Sequence, residues 1–156
     1  MRRMLKCMLI MTLASSCLFM SACTRERKNS NEPEIVANLY DNSWIMENYM
    51  DALQDYDHCV YEEVYYDWGG RSIGPTDYRF RGVIYLTEEE ADRLTEEYEW
   101  EETDAPEYEF EKIDTETLGE GPWYTCDQFI ADNYPTVDLH YSVFDGERIV
   151  FDFTQY

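Results

Sequence analysis

The chain has 156 residues, of which 34 are Asp or Glu and 12 are Lys or Arg, for a net charge of −22. This balance argues against nucleic acid as a partner, because phosphate binding requires clustered Lys and Arg. Fourteen Tyr, seven Phe and four Trp supply bulky apolar surface for a core, which argues against a disordered chain.

Arg2, Arg3 and Lys6 precede an uncharged run from Cys7 to Met20, which ends at Met20-Ser21-Ala22-Cys23 and the polar stretch TRERKNSNEPE. A positive start, a short apolar run and small residues before a cut site describe a secretory signal peptide. The run is shorter than the roughly 20 apolar residues of a comfortable spanning helix. Met20-Ser21-Ala22-Cys23 resembles the lipobox of bacterial lipoproteins, with Met where Leu is more usual. That resemblance implies that residues 1–22 are removed and that Cys23 becomes an N-terminus acylated with lipid (diacylglycerol, palmitate). The protein is then expected on the extracytoplasmic side of the cell membrane, held by its N-terminal lipid. Residues 23–38 read as the lipidated cysteine and a polar tether, and 39–156 as a single acidic α+β domain. Loss of Arg2, Arg3 and Lys6 with the signal takes the net charge from −22 to −25.

Asp41, Asn42 and Ser43 offer N-cap oxygens, and Ile45, Tyr49, Leu53 and Tyr56 share one face at helical spacing, predicting a helix over 43–56. HCVYEEVYYDW is rich in Val and Tyr and predicts a strand. WGGRSIGPTD reads as a loop, and YRFRGVIYL as a second strand with Tyr78, Phe80, Ile84 and Leu86 on one side. Thr87-x-x-Glu90 is a capping box that opens a helix with Ala91, Leu94 and Tyr98 inward. EYEFEKI alternates and predicts a third strand, while Thr125-x-x-Gln128 suggests a capped short helix ended by Pro135. TVDLHYSVF and ERIVFDFTQY flank Asp145-Gly146, a strong hairpin signal. The predicted order is α-β-β-α-β-α-β-β, an antiparallel sheet of about five strands with helices packed on one face. The block IGPTDYRFRGVIYLTEEEADRL resembles small uncharacterised bacterial lipoproteins, a likeness that implies no activity.

Candidate sites are few. Cys59 and Cys126 remain after signal removal, either as one bridge outside a reducing compartment or as two buried thiols. His58 and His140 lack zinc spacing, and no calcium loop, phosphate cradle or nucleophile elbow occurs, so no metal or cofactor is expected. Glu62 and Glu63 sit mid-strand. One of them among apolar neighbours would act as a general acid, whereas pairing with Arg79 or Arg81 would make it structural. Trp68, Arg71, Arg79 and Arg81 gather around the Gly/Pro loop, the composition of a recognition hot spot or of a turn balanced by its neighbours. Between Glu88 and Glu116 fifteen acids meet only Arg93 and Lys112. Such a block is a solvated face, or a ridge, through Glu96, Glu97 and Glu101, for a cationic partner.

These readings lead to a membrane-anchored extracytoplasmic binding module, not an enzyme, whose partner is a protein or an envelope component. Two alternatives stand beside it: an immunity or inhibitor protein against a basic toxin or hydrolase, and a carboxylate-based enzyme. The anchor is tested directly, because the Cys23 sulfur is the lipid acceptor. Cys23→Ser should abolish incorporation of labelled fatty acid and block lipoprotein-type cleavage. Wild-type protein found unlipidated in the culture fluid would refute the localisation.

Overall fold

Alternation of bulky and polar residues gives each strand two unlike faces, and the fold places a different layer on each. The structure, a computed structural model, describes residues 33–68 and 77–156. Its elements are β1 (Glu34–Tyr40), α1 (Trp44–Tyr49), β2 (His58–Asp67), β3 (Tyr78–Tyr85), α2 (Glu88–Glu97), β4 (Glu101–Thr103), β5 (Trp123–Thr125), α3 (Asp127–Asn133), β6 (Asp138–Phe144) and β7 (Arg148–Gln155), with a 3₁₀ turn at Thr115–Thr117. The seven strands form one sheet in the order β1-β2-β3-β7-β6-β5-β4, and every neighbouring pair is antiparallel. The α+β class agrees with the sequence. The strand count is seven rather than five, and the order is β-α-β-β-α-β-β-α-β-β.

One face carries the main core. Cys59, Tyr61, Phe80, Ile84, Phe144, Ile149, Phe151 and Phe153 from the sheet meet Ile45 and Met46 of α1, Ala91 and Leu94 of α2, and Phe129 of α3. All three helices therefore cover the same side. Gly82 lies in this layer opposite Tyr61. A Cβ there would stand 2.5 Å from Tyr61 Cβ and from the Val60 carbonyl oxygen, so the strands can approach only around a glycine.

The opposite, open face has a second, smaller core. Val60, Val83, Val150 and Val143 form a transverse row across β2, β3, β7 and β6. Leu118 and Trp123 close over it, with Tyr108, Phe110 and Ile113 packed alongside.

Several local expectations change. The helix predicted over 43–56 ends at Tyr49. The backbone beyond it is satisfied by distant groups instead: Asn133 Oδ1 accepts from Ala52 N, Glu90 Oε1 accepts from Gln54 N, and Arg93 donates to the Ala52 carbonyl. The capping box is half formed. Thr87 Oγ1 accepts from Glu90 N at 3.3 Å, but the Glu90 carboxylate is turned to Gln54 and Arg93. Residue 126, not Thr125, is the N-cap of α3, and it makes no side-chain cap bond. Residues 34–38, read as tether, lie in β1. EYEFEKI is not a strand: residues 107–113 cross the open face as an irregular strap, for a reason that belongs to the site below. At the last hairpin Gly146 takes φ +96, as a left-handed turn position requires. The central pair is Gly146-Glu147, one residue later than expected, because Asp145 N donates to the Arg148 carbonyl while Asp145 Oδ1 accepts from Glu147 N and Arg148 N.

The crowding at Gly82 makes a test of the sheet. Gly82→Ala should destabilise the domain by roughly 1–3 kcal/mol, the usual cost of overpacking, read as a lower urea midpoint at unchanged slope. An unchanged midpoint would mean that β2 and β3 are not held at this separation.

Candidate functional site

Strand alternation sets Glu62, Val64 and Tyr66 of β2 on the open face, with Arg79 and Arg81 of β3 and Asp152 and Thr154 of β7 beside them. Directly opposed residues form a polar row, Tyr141–Asp152–Arg81–Glu62, next to the valine row. Glu62 and Asp152 are fully buried, and Arg81 is 3% exposed. Arg81 Nε donates to Glu62 Oε2 at 3.0 Å. Arg79 reaches diagonally to Asp152, with Nε 2.7 Å from Oδ1, and outward to Glu109 at 2.7 Å.

The strap completes this cluster. The backbone N–H groups of Glu111 and Ile113 donate to Glu62 at 3.0 and 2.8 Å, and that of Lys112 also donates to it. Residues 111–113 thus spend their amides on a carboxylate rather than on a strand ladder, which keeps this end of an alternating sequence from becoming a strand. The alternation still works locally, with Tyr108 and Phe110 against the open-face core and Glu107 and Glu109 exposed.

Burial pushes the Glu62 carboxyl up, but the three backbone donors and Arg81 outweigh it and hold the group below its ordinary value. Glu62 is therefore a sequestered anion, the reverse of the protonated state a general acid needs. Glu63 points to the helix face, where its carboxylate accepts from Asn38 Nδ2 and the Tyr40 hydroxyl. Of the two readings of these carboxylates, pairing with Arg81 describes Glu62.

Beside the polar row lies a cleft of about 600 Å³. Its walls include Ile35, Tyr66, Phe110 and Tyr156, and its floor and rim Arg79, Arg81, Glu109, Glu111, His140 and Thr154, with Asp77 at the edge. His140 sits at the irregularity in the β6–β7 register, and its Nε2 lies 2.9 Å from Thr154 Oγ1. Arg81 Nη2 is buried and makes no hydrogen bond among the described residues, although it lies within ion-pair distance of Glu111 Oε1, at 3.8 Å. The arrangement can receive a hydrogen-bond acceptor at Arg81, share hydroxyl protons with Glu109 and Glu111, and stack a flat apolar face on Tyr66 or Tyr156. With Asp77, Glu109 and Glu111 against two arginines already paired to buried acids, it disfavours an anion.

The residues singled out from sequence are dispersed. Trp68 is 51% exposed at the end of β2, and Arg71 lies outside the described residues. Arg79 and Arg81 are committed to the internal cluster, which for these two matches the reading of arginines that balance nearby acids. Glu96, Glu97 and Glu101 are exposed on α2 and β4, with Glu97 paired to Arg93. The acidic block is not one ridge. Glu90 is buried against Arg93, while Glu109 and Glu111 belong to the strap on the opposite face. Cys59 and Cys126 stand as two free buried thiols, burial pushing Cys59 up to about 12. His58 stacks on Tyr85 at 4.1 Å, well apart in the fold from His140, and no metal-ligating cluster occurs among the described residues. Cys23 lies outside the described residues, and among those described no helix is long and apolar enough to cross a membrane. Tyr66, Phe110, Thr154 and Tyr156 escaped the sequence reading, which weighed His140 only as a metal ligand. Period-two alternation already placed Tyr66 on the face of Glu62, but nothing in sequence aligned β7 with β3.

No protein-family model, curated protein or solved structure matches this chain.

The cluster sets a pH dependence. Glu62 binds its proton less tightly folded than unfolded, so its stabilising contribution is complete above the unfolded value of about 4.3 and is lost as pH falls through the lower folded value. Glu90 follows the same direction, burial opposing it and Arg93 with the Gln54 amide prevailing. Arg81→Met, which strands a buried carboxylate, should cost about 3–5 kcal/mol at pH 7. Glu62→Gln should flatten the acid limb of stability against pH in urea titrations at pH 3 to 7. An acid limb identical to wild type would remove Glu62 from this role.

Proposed function

We propose that the protein is a membrane-anchored, extracytoplasmic lipoprotein that acts by binding, and that its ligand is an uncharged, hydroxyl-rich component of the cell envelope, a saccharide by its chemistry. The supporting observation is the cleft on the open face, where aromatic planes and fixed charged hydrogen-bonding groups lie together and a buried guanidinium nitrogen of Arg81 makes no hydrogen bond among the described residues. Small-molecule sites combine such apolar walls with a few placed polar groups. A sugar offers C–H faces for Tyr66 and Tyr156 and hydroxyls that both donate to Glu109 and Glu111 and accept from Arg81. The lipobox at Met20-Ser21-Ala22-Cys23 supports the location. Stable attachment follows from two acyl chains at about 0.8 kcal/mol per buried CH₂.

The proposal is tested by titrating the purified protein with neutral envelope oligosaccharides in a calorimeter. Tyr66→Ala and Tyr156→Ala, both at exposed positions, should each weaken binding about tenfold, roughly 1.4 kcal/mol, without lowering the urea midpoint. Unchanged affinity in both variants would place the ligand elsewhere. A second reading, capture of a cationic protein in the manner of an inhibitor, draws on the exposed acids of α2 and β4. It predicts association that slows steeply with salt and with charge reversal at Glu96, Glu97 and Glu101.

A further inference from the structure

The two edges of the sheet are built differently. At one, β4 has only three residues, two of them Glu101 and Glu102. Short length and charge are common ways in which edge strands avoid pairing with another chain. At the other edge, β1 has seven residues, pairs with β2 in unbroken register from Glu34 to Tyr40, and carries no charge after Glu34. No lysine, internal proline or bulge interrupts it. In a chain of net charge −22 this uncharged edge is an exception. Ile35 and Leu39, both on the open face, are 55% and 48% exposed.

We propose that β1 pairs antiparallel with β1 of a second copy of this chain about a twofold axis at Ala37, so that one sheet runs through both copies. The side chains are self-complementary only about that residue. Ala37 faces its own mate, and Ile35 of each copy faces Leu39 of the other, giving two apolar cross-strand pairs on the open face. On the helix face Val36 meets Asn38 and Glu34 meets Tyr40. The two Glu34 carboxylates then stand about 20 Å apart at a strand rise of about 3.3 Å per residue, beyond the Debye length of about 8 Å, so the only charged residue of β1 does not oppose the pairing. Centring the axis on Val36 or Asn38 sets Ala37 against Ile35 or Leu39 and loses both apolar pairs. The axis is perpendicular to the sheet, which keeps the helices of both copies on one side. Ile35 also borders the open-face cleft, so Leu39 of the second copy extends its apolar wall. The pairing itself does not rest on the ligand proposed for that cleft.

Cysteine scanning of the full chain in its own membrane tests the register. Cys59 and Cys126 are buried, and the wild-type chain, with Cys7, Cys17 and Cys23 in place, sets the background. Ala37→Cys should give a disulfide-linked dimer on mild oxidation, whereas Ile35→Cys alone and Leu39→Cys alone should not. Ile35→Cys and Leu39→Cys chains expressed together should cross-link to each other. Equal cross-linking at all three single positions, or none in any combination, would overturn the pairing. Independently, native mass spectrometry of the wild-type protein released from detergent should show a dimer, and Leu39→Lys should convert it to a monomer that keeps the wild-type far-ultraviolet circular dichroism. A wild-type protein that is monomeric throughout would also overturn the proposal.

Discussion

Three consecutive backbone amides, those of Glu111, Lys112 and Ile113, donate to one carboxylate, and Arg81 bonds the same group from the sheet. Holding an ion away from water costs several kcal/mol even after relaxation, so Glu62 is tolerable only where all of these donors are delivered together. That requirement couples β2, β3 and the strap into one arrangement. Once the strap is tied there, Tyr108, Phe110 and Ile113 fall onto the valine row, and the open face acquires a core without needing helices of its own. The cleft exists at the border of this patch, where the strap stops covering the sheet.

Cations are scarce in the domain, and the four described arginines all serve as connectors. Arg79 joins β3 to β7 and to the strap. Arg81 joins β3 to β2. Arg93 ties α2 to the segment after α1 through the Ala52 carbonyl, and Arg148 ties β7 to the 3₁₀ turn through the carbonyls of Thr117 and Leu118. Each offers several donors in a planar fork, which suits such multiple attachment better than a single ammonium would. The surplus acids stay in solvent, and two of them, Glu88 and Glu89, share the first turn of α2 with the buried Glu90, where the helix dipole favours negative charge.

Period-two patterning made β2, β3, β6 and β7 legible in the sequence, along with Thr87 as a cap and Gly146 as a turn residue. These are local signals, and the structure uses them locally. The strap shows the limit of the same signal: residues 107–113 have the alternation of a strand, but a buried acid about fifty residues earlier captures the amides of its last three. Strands β4 and β5 are three residues each, too short to carry any period. β1 was hidden for the opposite reason, because its uncharged run adjoins a polar stretch that reads as tether. Part of the site was visible, since hairpin pairing set Glu62 or Glu63 against Arg79 or Arg81 without choosing between them. The contributions of Asp152, His140, Thr154 and Tyr156 depend on β7 lying beside β3, a long-range pairing that no local pattern encodes.

β7 is the final strand of the chain and occupies the middle of the sheet, flanked by β3 on one side and β6 on the other. The two outer halves, β1-β2-β3 and β6-β5-β4, meet only through it. A chain in which β7 is not yet paired therefore lacks the keystone of its sheet. Pairings between segments so distant in sequence form slowly, since loop closure precedes any gain from contact. The topology thus makes the joining of the two halves a step of its own, because neither half gains a neighbour from the other until β7 lies between them.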